Sequence, residues 1–162
     1  MKKLSLILII VVILVFIILL TGYSAKASFQ KYKSNEIDKN LLQSLITKRT
    51  EIMNNSLYNC NNIELTIEQL KNIEKNTILE NDILVLKEVQ SNPTDYARVT
   101  NVRIKDILDI KVKDDIYEII SNIEWDISYN LEDYTEEHDY IIQIAHHDGQ
   151  YYLVDFRLQN RQ

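Results

Sequence analysis

Two groups of residues in this 162-residue chain could hold a metal ion, judged by residue type alone. His146, His147 and Asp148 offer two imidazoles and a carboxylate, which are groups that zinc accepts. Adjacent strand residues point to opposite faces, so the two imidazoles cannot easily share one ion, and the pattern favours a hairpin tip. An acidic cluster offers the oxygen ligands that calcium prefers, but it lacks the spacing and the glycine of a calcium loop, which favours a solvated loop. This cluster consists of Glu132, Asp133, Glu136, Glu137, His138 and Asp139.

Asp106 is the residue best placed in the sequence to act as an acid or a base. It falls on the apolar phase of its predicted strand, where burial would raise the pKa of its carboxyl group. A bulge that turns Asp106 to solvent, or an ion pair with Arg98 or Arg103, is the commoner arrangement. Cys60 has no histidine near it in the sequence, and the chain contains no serine-nucleophile, Cys-x-x-Cys or His-Glu-x-x-His motif. We therefore expect a protein that is not an enzyme and that uses no metal or cofactor.

Aromatic side chains at strand spacing could line a pocket for a small apolar ligand. The same spacing is more typical of an ordinary core, because aromatic rings bury a large apolar area. Both interpretations concern one set of residues, which is Trp125 with Tyr117, Tyr129, Tyr140, Tyr151 and Tyr152.

The first element that positions these residues is a membrane segment. Residues 4–20, from Leu4 to Leu20, contain Ser5 as their one polar residue, and at about 1.5 Å per residue they nearly span the hydrocarbon core. We expect a single-pass, uncleaved signal anchor in residues 1–23, with the lipid bilayer as its partner. A cleaved signal peptide is the alternative, because residues 25–27 read Ala-Lys-Ala.

Charge separates this leader from the rest of the chain. Residues 1–33 carry five Lys and no acid, whereas residues 34–162 carry 13 basic and 24 acidic groups, a net charge of −11. An acidic body repels the phosphate backbone, so nucleic acid is not an expected partner. A short basic N-terminus is usually retained in the cytoplasm, although three lysines after the span nearly balance the count. We therefore expect a polar stalk over residues 24–33 and one extracytoplasmic domain over residues 34–162.

The first half of the body has helical periodicity. Apolar residues from Ile37 to Met53 predict one helix that ends near residues 54–56, with Asp38 in its capping pair. Thr66 and Thr77 each open a capping-box pattern and predict the starts of two further helices. A helix over residues 83–89 is favoured over a strand.

After Pro93 the hydrophobic period changes from 3.6 to 2, which predicts antiparallel strands. A bulge is expected near Asp106, a turn at Asp114 and Asp115, and an acidic connection over residues 131–138. The predicted strands cover residues 102–112, 117–129, 140–146 and 151–158, the last two joined by a type I′ turn at residues 148–149.

Counting outwards from that turn predicts the pairing of the last two strands. The predicted pairs are Ala145 with Tyr152, Gln143 with Val154, Ile141 with Phe156, Ile144 with Leu153 and Ile142 with Asp155. Both faces of the hairpin then carry large apolar groups, so one face can pack on helices while the other curls over a pocket or meets a partner. The possible interaction face consists of Ile142, Ile144, Leu153 and Tyr151.

The order of elements and four short segments carry a resemblance to a known superfamily. The segments are residues 66–69, 92–96, 123–125 and 148–156. Together they resemble the nuclear transport factor 2-like (cystatin-like) superfamily, and more narrowly the small uncharacterised, membrane-anchored extracytoplasmic proteins of Gram-positive bacteria. The resemblance implies an α+β fold in which two or three helices pack on a curved four-stranded antiparallel sheet.

The superfamily's enzymes place acid–base residues in the mouth of the cone, and no residue here matches such a site, so the resemblance implies a binding or assembly module. We expect a domain that acts by protein–protein contact, with a partner or by self-association, in a cell-envelope assembly. A sensor of small apolar ligands is one alternative. An isomerase-like or hydrolytic enzyme that uses Asp106 or a histidine is the other.

Overall fold

The structure is a computed structural model that describes residues 37–59, 62–92 and 96–159. All of these residues belong to the unit Ser34–Gln162, which is distinct from the unit Met1–Lys33. The expected anchor in residues 4–20, the expected stalk in residues 24–33 and Cys60 lie outside the described residues. Within the described ranges, no helix is both long enough and apolar enough to cross a membrane.

Three helices precede four strands along the described chain. The helices are α1 (Lys39–Asn59), α2 (Ile63–Lys71) and α3 (Asn76–Ser91), and the strands are β1 (Arg98–Lys113), β2 (Ile116–Tyr129), β3 (Glu132–His147) and β4 (Gln150–Leu158). The strands form one antiparallel sheet in the order β1-β2-β3-β4. The expected α+β class, with helices first and a four-stranded antiparallel sheet second, is confirmed.

The helix starts agree with the sequence prediction at only one of three positions. Asp38 caps α1, because its Oδ1 accepts a hydrogen bond of 2.8 Å from a main-chain N–H of the first turn. α2 begins before Thr66, since Asn62 is its N-cap. The predicted capping box at Thr66 is therefore wrong, and this side chain is buried inside α2. The box at Thr77 is also wrong, because this residue lies inside α3, whose first residue is Asn76.

The first hairpin agrees with its sequence pattern. The register between β1 and β2 shifts three times, and two of the shifts flank the segment from Asp106 to Ile107. The bulge predicted near Asp106 is confirmed, and it leaves the Asp106 side chain exposed. Asp114 and Asp115 form the turn with φ values of 51° and 62°, in the left-handed region that Asp tolerates.

The acidic connection predicted over residues 131–138 is wrong. Residues 132–138 form the first half of β3 and pair in continuous register with β2, from Tyr129 opposite Glu132 to Ile123 opposite His138. Seven consecutive side chains at the start of this strand are exposed, so the polar–apolar alternation that reveals a strand is missing.

The last hairpin has the predicted turn but a different register. The pairs Ala145 with Tyr152 and Ile144 with Leu153 are confirmed, whereas a register shift follows at Gln143. Beyond it the observed pairs are Gln143 with Asp155, Ile142 with Phe156 and Ile141 with Arg157. The consecutive residues Leu153 and Val154 are both buried, so β4 has one extra residue at this point. Every later pair is therefore shifted by one residue along β4.

The core lies between the helices and one face of the sheet. Ile142, Ile144 and Leu153 are completely buried in it, and Tyr151 is half-buried with its ring against Tyr117. The exposed interaction face predicted from these residues is therefore wrong, because the face carrying them is the one that the helices cover. The opposite face of the sheet carries charged and polar side chains, such as Glu118 and Glu124, together with the half-buried Ile120 and Ile141.

Both outer strands of the sheet are partly covered along their edges. The Gln43 side chain of α1 accepts a hydrogen bond of 2.7 Å from the Ile104 N–H and donates one of 2.7 Å to the Val102 carbonyl. On the opposite side, the link between α2 and α3 pairs with β4 at Leu153 through a short parallel bridge. Three register shifts in β1 and one near Leu153 add irregularity to these edges.

Candidate interaction surface

The hairpin formed by β2 and β3 extends beyond the end of β4. β4 pairs with β3 only from Tyr140 onward, where Tyr140 faces Leu158. The first seven residues of β3, residues 132–138, therefore have β2 on one side and no described strand on the other. We call this stretch the open edge.

The main-chain direction along the open edge follows from one hydrogen bond. The Asp139 carbonyl accepts a hydrogen bond of 2.9 Å from the Gln159 N–H, so the main-chain groups of Asp139 point away from β2. Successive residues of a strand alternate in this direction, and the register with β2 is unbroken here. The N–H and C=O groups of Asp133, Thr135 and Glu137 therefore point toward the open edge.

The side chains of the open edge are acidic on both faces of the sheet. Asp133 and Glu137 lie on the face away from the helices, whereas Glu132 and Glu136 lie on the other. Glu136 is 3.4 Å from Nε2 of His138. None of the described Lys, Arg or His side chains forms an ion pair with Glu132, Asp133 or Glu137. The open edge thus has uncompensated negative charge.

The neighbouring acids of β2 are compensated by β1. Arg103 contacts Glu124 at 2.5 Å and Asp126 at 2.7 Å, and Lys105 contacts Glu124 at 3.3 Å. Hydrogen bonds from Arg103 hold the pKa values of both carboxyl groups below their usual range. The Thr135 hydroxyl donates to Asp126 and joins the open edge to this network. Arg103 and Lys105 of β1 are therefore already occupied by acids of β2.

The tip of this hairpin carries an exposed leucine in a strained conformation. Leu131 has a φ of 69° and a side chain that is 104 % exposed. The other described non-glycine residues with positive φ are all Asn or Asp, which tolerate this region. For leucine the left-handed conformation costs roughly 1–2 kcal/mol, and no burial offsets it. Folding alone therefore does not explain a leucine at this position.

A groove of about 470 Å³ lies beside the tip, between the end of α1 and the start of β1. Its lining includes Leu131 together with Tyr58, Arg98 and Tyr129. The Tyr58 hydroxyl donates a hydrogen bond of 2.6 Å to the Tyr96 carbonyl, and the Arg98 guanidinium lies 5.6 Å from the centre of the Tyr58 ring. Burial raises the pKa of Tyr58. Tyrosine and arginine are enriched in protein-binding surfaces.

A separate cluster of charged side chains is buried between the helices. Arg49 of α1 donates two hydrogen bonds to Asp82 of α3, at 2.8 and 2.6 Å, and its Nε lies 3.0 Å from Glu74. Glu74 is completely buried, and neither of its carboxyl oxygens has a hydrogen-bond partner among the described residues. Burial, followed by the repulsion of Asp82, raises the pKa of Glu74 to about 8 despite the opposing charge of Arg49.

This buried cluster was not predicted from the sequence. Asp82 lies on the buried stripe of α3 with Ile78 and Leu86, four residues away on either side. A carboxylate in such a stripe is the signal that could have revealed the cluster, because a buried acid requires a partner. Glu74 gave no comparable signal, since it lies between two helices, outside any periodic pattern.

The residues first considered for metal binding do not come together. His147 lies 3.1 Å from Asp148 at an exposed hairpin tip, while the His146 ring packs on Tyr151 at 4.5 Å. The acidic cluster is spread along both faces of β3. Across the described ranges, no three His, Cys, Asp or Glu side chains are grouped so that they could hold a metal ion.

The predicted aromatic set is divided between the core and the surface. Trp125 is buried and meets Tyr140 and Phe156 edge-on, and the last two rings stack at 4.7 Å. Tyr129 lies instead at the exposed end of β2. The Tyr152 ring lies 3.6 Å from the Lys75 ammonium group, at the edge of the sheet where β4 meets the link between α2 and α3. These rings therefore do not line one common pocket.

The fold is that of an α+β domain with three helices on one face of a four-stranded antiparallel meander. No family model and no curated protein matches the chain. Among solved structures it is similar to the crystal structure of the intermembrane space region of chloroplast protein ARC6, with 10 % sequence identity and a TM-score of 0.47. The match covers 75 % of this chain and 96 % of that chain.

Proposed function

We propose that this chain is a bacterial, membrane-anchored, extracytoplasmic protein without enzymatic activity, whose domain acts by protein–protein contact in a cell-envelope assembly. The observation that carries the proposal is Leu131, which is fully exposed at a strained hairpin tip. The helices and the antiparallel meander are compatible with a distant place in the nuclear transport factor 2-like superfamily.

The surroundings of Leu131 favour a protein partner over insertion into a bilayer. Glu132 and Asp133 follow it directly, and both are exposed. Anionic headgroups repel such carboxylates, whereas a protein surface can meet them with cations. Tyr129 and Tyr134, which are 41 % and 42 % exposed, extend the apolar contact area on either side of the tip.

The anchored, external placement is supported by the sequence. Residues 4–20 are almost uniformly apolar and follow a short basic terminus. A tethered domain meets its partner at a high effective concentration, so a small contact surface is sufficient for assembly.

Photo-crosslinking in intact cells tests this proposal. In the full-length chain, a photoreactive amino acid in place of Tyr129 is expected to crosslink to the partner protein. The product should be one adduct of defined mass. Leu131→Asn in the same photoreactive protein should reduce the yield of that adduct at least about 10-fold, because the leucine side chain that contacts the partner is lost. The domain should keep or gain stability, because asparagine tolerates the left-handed region.

Leu84→Asn is the matched control, since Leu84 is also exposed but lies on α3. It should leave the adduct unchanged. An adduct that survives Leu131→Asn, or the absence of any adduct from the unsubstituted tip, would show that the tip is not a binding surface.

A further inference from the structure

We infer that the open edge of β3 binds an extended, basic segment of a partner protein, which joins the sheet as a fifth strand. The inference rests on the proposed function and specifies the chemistry of the partner. It is carried by the main-chain geometry of residues 132–138 and by the charge of their side chains.

The open edge is regular where the other edges of the sheet are not. Its register with β2 has no shift, whereas β1 has three shifts and side chains of α1 bonded along its edge. Irregular, covered edges resist the addition of another strand, and a flat, uncovered edge permits it. Asp133, Thr135 and Glu137 each direct an N–H and a C=O outward, which gives six main-chain groups to an added strand.

The length of the open edge is also sufficient for recognition. Seven residues at about 3.4 Å per residue extend for roughly 20 Å, which is the length of an ordinary strand. The edge ends at Asp139, whose carbonyl already accepts the Gln159 N–H. An added strand along residues 132–138 would therefore not overlap the described residues of β4.

The charge of the open edge selects the added strand. Acids lie on both faces, and Glu132, Asp133 and Glu137 have no described cationic partner. A second copy of this edge would place acids opposite acids, which destabilises strand pairing. A neutral strand would leave these charges uncompensated. Lysine or arginine on both faces of the incoming strand would form ion pairs with these acids. An apolar side chain would lie opposite Tyr134, which is 42 % exposed.

Hydrogen exchange of the full-length chain in detergent, with defined peptides, tests the inference. The probe is a nine-residue peptide built from Lys-Lys-Thr-Thr repeats, which places lysines on both faces of an extended strand. Its matched control has glutamate in place of every lysine. The lysine peptide should slow amide exchange in residues 132–138 at least about 10-fold at saturation, because added main-chain hydrogen bonds protect these amides. The glutamate peptide should not change exchange there.

Two variants at one position separate strand addition from simple charge attraction. Glu137→Pro removes an outward N–H without removing a bond to β2, and it should weaken lysine-peptide binding at least about 10-fold. Glu137→Gln removes only the charge, so it should weaken binding about 2- to 3-fold and reduce the salt dependence. A lysine peptide methylated at alternate main-chain nitrogens, tested on the unsubstituted protein, should lose the protection even if the proline variant does not fold.

Three results would overturn the inference. They are an absence of protection by the lysine peptide, equal binding to the proline and glutamine variants, or full protection by the methylated peptide. Crosslinking from position 129, with and without Leu131→Asn, reports on the proposed function independently of these peptides. Failure of the edge and failure of the tip are therefore distinguishable.

Discussion

At the scale of single residues, Glu74 joins elements that are far apart in the sequence. Its carboxyl group contacts Arg49 of α1, which in turn binds Asp82 of α3, and its main chain bridges to Leu153 of β4. A pKa of about 8 means that Glu74 is protonated at neutral pH, which avoids two buried negative charges on one guanidinium. These contacts hold α1, α3 and the link between α2 and α3 in place against β4.

The stability of the domain should therefore depend on the protonation of Glu74. The folded chain holds this proton up to about pH 8, whereas the unfolded chain releases it near 4.5. The folded state binds more protons between these values, so the free energy of unfolding should decrease as pH rises from 4.5 to 8, at up to about 1.4 kcal/mol per pH unit. Denaturant titrations at several pH values measure this slope.

Glu74→Gln provides the decisive comparison for this slope. Glutamine resembles the protonated carboxyl group, so the slope between pH 4.5 and 8 should become smaller while the fold is retained. Glu80→Gln, at a residue exposed on α3, should keep the slope of the unsubstituted protein. Identical slopes for all three proteins would show that Glu74 has an ordinary pKa.

Whether the important residues could be predicted from the sequence depends on the periodicity around them. Asp106 was correctly placed near a bulge because its strand alternates on both sides of it. Leu131 and Glu74 lie in a turn and in a link between helices, where no period exists. Their roles follow from a dihedral angle and from a contact between distant elements, which a single sequence does not encode locally.

At the scale of elements, α1 does more than cover the core. Gln43 occupies two main-chain groups of β1, Asn54 donates a hydrogen bond of 2.6 Å to the Val99 carbonyl, and Lys39 donates one of 2.9 Å to the Lys105 carbonyl. These side chains act in place of a neighbouring strand along this edge. The helix therefore limits the addition of further strands to β1.

Gln43→Leu tests this function of α1. Leucine has a similar volume but leaves the N–H of Ile104 and the carbonyl of Val102 without a partner, so the domain should lose about 1–3 kcal/mol of stability. The variant should also self-associate more readily, as measured by light scattering. Gln90→Leu, at an exposed position of α3, controls for added hydrophobicity and should change stability by less than about 0.5 kcal/mol. Equal stability losses in the two variants would contradict the edge-covering function.

Elements were predictable where one of their faces is buried. The first three alternating segments correspond to β1, β2 and the second half of β3. Their sequences alternate because the helices cover one face of each strand. The first half of β3 was missed because both of its faces are exposed, so no alternation marks it. The register of β4 was missed because a bulge at consecutive buried residues interrupts the alternation from which pairs are counted.

At the scale of the whole molecule, charge is distributed unevenly. The leader is basic, the body has a net charge of −11, and the open edge contains acids without cationic partners. A basic partner would therefore be attracted to the domain before specific contacts form, at a rate that falls with ionic strength. If the chain is anchored as proposed, the same acidity disfavours contact between the domain and anionic headgroups.

The proposed function in the cell envelope requires that the domain lies outside the cell, and the charges that flank residues 4–20 bear on this placement. Lys2 and Lys3 precede the segment, while Lys26, Lys31 and Lys33 follow it, so orientation is set by a narrow difference. Protease added to intact cells should therefore remove a C-terminal tag from a full-length, membrane-bound chain, while a cytoplasmic marker stays intact. Substituting Lys2→Ser together with Lys3→Ser should increase the protected fraction, because the charges that retain the N-terminus are gone. A tag that is protected in the unsubstituted chain would place the acidic domain in the cytoplasm, where an envelope partner could not reach either Leu131 or the open edge.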